Sequence, residues 1–123
     1  MFQYQIVERL DILLESGVIG KSVYDASVHA IDSFGEITDE QEFNMITAFI
    51  MHFAMSLQRA KDNEQIEIEQ EVLNEVKGHV LYEDAKETLC KILNKFEYKV
   101  DKDERDLMLL HVLNILQYRE DLK

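Results

Sequence analysis

The sequence predicts an all-α fold, a compact bundle of five to six helices forming one domain over residues 1–123. Three observations predict it. The chain contains no proline and only four glycines, the residues that break or weaken helix interiors. Apolar side chains recur at three- and four-residue intervals along most of its length, the period of a helix with one buried face. The pattern stops at Gly17, Gly35 and Gly78 and restarts within a few residues, which predicts short loops and no hinge linker.

The first helix is expected over about 2–16, with Ile6, Leu10, Leu13 and Leu14 on one face. The second, about 20–34, carries Val23, Ala26, Ala30 and Phe34. Glycine follows each, as suits a helix end that turns through a left-handed residue. The third opens at "TDEQ", where Thr38 and Gln41 have capping-box spacing, and runs to about Lys61 with Phe43, Ile46, Ile50, Phe53 and Leu57 inward. In "IEIEQEVLNEVKGHV" Ile66 and Ile68 alternate with acids, so a short extended piece is expected to precede a helix bearing Val72, Leu73 and Val76. The fifth helix, about 82–97, shows Ala85, Leu89, Ile92, Leu93 and Phe96. The sixth starts at "DKDE", with capping-box spacing from Asp101 to Glu104, and continues to about Arg119 through Leu107, Leu110, Leu113 and Leu116.

With 46% hydrophobic and 31% charged residues, the 123-residue chain has the make-up of a globular domain able to bury a core. Its net charge is −12, and residues 62–75, "DNEQIEIEQEVLNE", hold six acids and no base. Nucleic-acid binders cluster Lys and Arg to neutralise phosphates, so direct nucleic-acid binding is not expected. No apolar run is long enough for a membrane span, and the amphipathic N-terminus lacks a signal-peptide layout. A lone cysteine excludes an internal disulfide and fits a reducing compartment, most simply the cytoplasm. Met1 followed at once by a whole helix fits a natural single-domain product.

Enzyme chemistry finds little support. His29, His52, His79 and His111 are far apart, with no HExxH or Cys–His cluster, so no metal is expected. The sequence has no phosphate-binding loop, dinucleotide fingerprint or nucleophile elbow, so no cofactor and no catalytic site are expected. Cys90 in "KETLCKIL" reads as a small buried hydrophobe. Two histidines stand out, His52 in "ITAFIMHFAMSLQRA" and His111 in "DKDERDLMLLHVLNIL". A neutral imidazole is a competent nucleophile toward a phosphoryl group. Arg59 lies seven residues after His52, two turns along one helix face, and Glu104 lies seven before His111. Glu104 is thereby placed to orient the His111 ring, directly or through a neighbour.

These two stretches resemble those of the PTS regulation domain, the PRD. "IMHFAMSLQRAKDNEQI" is similar to the family's histidine, small and apolar residues, arginine at the seventh position and polar loop with an isoleucine. "DKDERDLMLLHVLNIL" resembles its closing helix, and "YEDAKETL" its tyrosine and alanine segment at the start of the fifth helix. The likeness covers one copy, essentially the whole chain. It implies an all-α, often dimeric domain of bacterial antiterminators and transcription activators. Histidines of such domains are phosphorylated by the carrier HPr or by sugar-permease components of the phosphotransferase system. Carried over, the phosphoacceptor positions are His52 and His111, supported by Arg59 and Glu104, while His29 and His79 match neither. Met51 stands where the family often has aspartate, and the segment before the fifth helix lacks the family's proline.

Two functions follow as expectations. The first is a phosphohistidine-responsive regulator, a homodimer acting on a transcriptional regulator. The second is a constitutive helical dimerisation or adaptor module, using Met45, Phe49, Met51, Phe53 and Met55 as an adaptable apolar surface.

Overall fold

The computed structural model describes residues 2–64, 66–94 and 100–123. Six helices follow one another: α1 (Phe2–Glu15), α2 (Lys21–Asp32), α3 (Glu40–Lys61), α4 (Gln70–Lys77), α5 (Tyr82–Leu93) and α6 (Lys102–Asp121). The all-α fold is the expected one. No strand occurs among the described residues, and residues 66–69 are irregular chain whose Ile68 amide donates to Asp103 at 3.2 Å. The end of the fifth helix expected at 95–97, with Phe96, lies outside the described residues.

α1 and α2 end as glycine predicts. Gly17 and Gly35 take φ of +80° and +67°, the left-handed region where a side chain is strained. Gly78 closes α4 with φ −83°, an ordinary right-handed value, so that helix stops without the left-handed turn. The α3 cap is one residue later than the spacing suggested. "TDEQE" offers two overlapping frames, and Asp39, not Thr38, accepts from the Glu42 amide at 2.8 Å. At α6, Asp101 occupies the cap position but its side chain makes no capping bond.

The core lies between the two long helices. α3 buries Phe43, Ile46, Phe49, Ile50, Phe53, Ala54 and Leu57, and each such Phe or Leu contributes about 1.5–3 kcal/mol by leaving water. α6 packs against α3, α5 and α4. A helix covered on three sides needs apolar residues on most of its circumference, and α6 buries Met108, Leu109, Val112, Leu113 and Ile115. Leu107, Leu110 and Leu116 are only half-buried, which shifts the buried face away from the expected set. Cys90 is exposed, not buried as expected. On α5 the inward row is Ala85, Leu89 and Ile92, and Cys90 falls just outside it.

α3 and α6 run antiparallel, tied near both ends by an arginine–glutamate fork. Glu42, at the start of α3, accepts from Arg119 near the end of α6 at 3.1 and 3.2 Å. Glu104, at the start of α6, accepts from Arg59 near the end of α3 at 2.7 and 2.9 Å. Each glutamate is the third residue of its helix, where a capping-box acid would fold back on the backbone. Each instead reaches across to the neighbouring helix. Arg119 also donates to the Phe34 carbonyl at 2.7 Å, and Tyr118 donates to Asp39 at 2.7 Å, joining α6 to the start of α3 and the end of α2.

Candidate phosphoacceptor site

The antiparallel seam brings His52 of α3 and His111 of α6 face to face. Their ring centroids are 5.2 Å apart with the planes inclined by 33°. Both are half-buried, and the His52 side chain retains 16% of its exposure. Burial pushes His52 down to about 4, with the proximity of His111 and the charge of Arg59 adding and Glu104 opposing. Burial also lowers His111. Both imidazoles are therefore neutral near pH 7, the form with a nucleophilic lone pair.

A polar chain backs His52. One turn along α3, Ser56 is fully buried, and its Oγ lies 3.1 Å from His52 Nε2. Ser56 donates to Glu104 Oε1 at 3.0 Å, and Arg59 donates to Ser56 Oγ at 3.3 Å. Glu104 Oε1 stands 3.9 Å from His52 Nε2, and its side chain is 3% exposed. Burial works to raise the Glu104 carboxyl, but the hydrogen bonds from Arg59 and Ser56 and the Arg59 charge together hold it below its ordinary value. An ionised carboxylate at this depth is tolerable because two arginine nitrogens and a hydroxyl satisfy it.

The sequence brought forward four residues, and the structure gathers all four: His52, His111, Arg59 and Glu104. Glu104 bonds to Ser56 and Arg59 across the seam and stands beside His52, the ring that faces His111. Sequence reasoning missed Ser56. Its signal was present, since 52, 56 and 59 share a helix face at four- and three-residue steps. His29 is exposed, and His79 uses Nδ1 to accept from the Leu81 amide at 3.0 Å, just before α5. Of the apolar set on α3, Phe49 and Phe53 are core residues with no exposure. Met45, Met51 and Met55 are half-buried and pack against the core.

Reach from solvent matters for any acceptor. Among the described residues no buried side-chain nitrogen or oxygen lacks a hydrogen-bond partner. His52 and His111 are only half-buried, so neither ring is sealed in the core.

The profile of the PRD domain family matches residues 27–115. The chain belongs to the PRD family. The matched span holds one copy and contains His52, Ser56, Arg59, Glu104 and His111, and it implies a regulatory domain of the phosphotransferase system. Comparison with curated proteins and with solved structures gave no match. No helix of this PRD, among the described residues, is long and apolar enough to cross a membrane. Among the same residues no group of three or more His, Cys, Asp or Glu is placed to hold a metal ion.

Proposed function

We propose that this PRD is a phosphohistidine-responsive switch, phosphorylated on the His52–His111 pair by HPr or a sugar-permease component. The carrying observation is the pairing itself: two neutral, half-buried imidazoles 5.2 Å apart, backed by an arginine within the same network. Phosphoryl transfer asks of the acceptor an accessible ring nitrogen, in-line approach and positive charge nearby.

The Arg59–Glu104 fork supplies the switching element. A phosphoryl group brings about −1.5 to −2 charges by analogy with phosphate esters. On either ring it competes with Glu104 for Arg59. If Arg59 leaves, Glu104 remains a carboxylate that is 3% exposed with its cation withdrawn, and breaking a buried pair this way costs about 3–5 kcal/mol. The start of α6 must then shift to rehydrate Glu104, which alters the surface of α6 that carries the half-buried Leu107 and Leu110. We read that surface as the contact with a second copy or with a transcriptional regulator, so that modification changes association. Sedimentation of the protein before and after incubation with phosphorylated HPr or a phosphorylated permease component tests this. A shift in mass distribution that tracks phosphate content is expected; identical distributions at full modification would exclude the switch.

A constitutive adaptor is the second reading, favoured by the half-buried Met45, Met51 and Met55 on α3. It predicts a stable association that phosphorylation leaves unchanged.

A further inference from the structure

We infer that the phosphoacceptor atom of His52 is Nδ1, because the Ser56–Glu104–Arg59 chain holds the ring in the tautomer protonated at Nε2. The phosphoryl part rests on the function proposed above; the tautomer does not.

The assignment follows from counting protons. Ser56 has one hydroxyl proton and two lone pairs. Glu104, forked by Arg59, is ionised and can only accept. The 3.0 Å contact between Ser56 Oγ and Glu104 Oε1 therefore uses the hydroxyl proton. Ser56 has no second proton for the 3.1 Å contact to His52, so Nε2–H must donate to Oγ. Arg59 fills the other lone pair at 3.3 Å, and the hydroxyl is saturated with one bond given and two received. The opposite tautomer would set a bare Nε2 lone pair against a hydroxyl oxygen whose proton is already committed. It would also set that bare lone pair 3.9 Å from the Glu104 Oε1 carboxylate oxygen. The lone pair of His52 is thus left on Nδ1.

The transfer then balances simply. The Nδ1 lone pair attacks phosphorus of a phosphohistidine donor protonated on its other nitrogen. The donor's P–N bond breaks, and its electron pair stays on the donor ring, which becomes neutral. During the transfer His52 becomes a phosphorylated imidazolium whose Nε2–H donates to Ser56, with Ser56 still on Glu104, before Arg59 and Glu104 rearrange. One positive charge moves from donor ring to acceptor ring, and no other reactant is needed. Ser56 is a positioning residue here.

Long-range proton–nitrogen NMR on the 15N-labelled protein near neutral pH reads the tautomer directly. His52 is expected to show protonated Nε2 and unprotonated Nδ1, and Ser56→Ala is expected to bring the two tautomers toward a mixture. Phosphoramidate, which needs no partner protein, then supplies phosphate chemically, and the isomer on His52 is read from the same nitrogens. Phosphate on Nδ1 supports the inference; phosphate on Nε2, on His111 alone, or a resting Nδ1–H tautomer overturns it. Chemical phosphorylation at Nδ1 with no transfer from HPr or a permease component would leave the assignment standing and defeat the proposed function.

Discussion

His52 owes its behaviour at neutral pH to four neighbours on two helices. Burial and the His111 ring push its proton off, while Glu104 alone pulls the other way. The unfolded chain has no such environment, so its histidine titrates near 6.5. A histidine whose folded value is depressed binds fewer protons in the native state, so its contribution is intact above about 6.5 and is lost as pH falls toward 4. The gap between those values, at about 1.4 kcal/mol per pH unit, sets an upper limit of about 3–4 kcal/mol on that loss. His111 acts with the same sign. The depressed Glu104 adds its own loss at still lower pH, because an acid with a lowered folded value stabilises only while ionised. Urea unfolding between pH 7.5 and 4 is expected to show stability falling with acid, and His52→Gln to flatten that slope. Equal slopes in both proteins would mean that His52 is not held neutral by the fold.

The α3–α6 pair is where local pattern and long-range register part company. Helices at Phe2–Glu15, Lys21–Asp32 and Glu40–Lys61 were legible because Ile6, Val23 and Phe53 sit in clear apolar rows bounded by glycine or cap residues. α6 was legible as a helix but not in its inward face, since a helix covered by three others gives no single stripe to read. The four named site residues could be picked out from the chain, but their wiring could not. That Glu104 serves Ser56, Arg59 and His52 depends on an antiparallel register that no stretch of either helix encodes. The Arg119–Glu42 fork sets the same register from the opposite end. Arg119→Ala would leave Glu42, 3% exposed, without its cation, and is expected to cost about 2–3 kcal/mol in urea unfolding. Replacing both residues by methionine should recover most of that loss, because a packed apolar pair often matches a buried ion pair. A single-variant loss below about 0.5 kcal/mol, the range of ordinary surface changes, would show that the fork does not secure the seam.

For the whole molecule, the charge of −12 and the recessed histidines bear on the same event. A further dianion on an already acidic domain has one nearby arginine to turn to, and that arginine is committed to Glu104. On the proposed function, phosphorylation would therefore give the domain a reason to change shape or partner. The central claim is that the His52–His111 pair takes phosphate from the phosphotransferase system. Intact-mass analysis after incubation with phosphorylated HPr, and separately with a phosphorylated permease component, tests it most directly. The unaltered protein is expected to gain phosphate from at least one of them, and the His52→Gln, His111→Gln double variant to gain none. No gain from either donor, or a gain that survives in the double variant, would contradict the account.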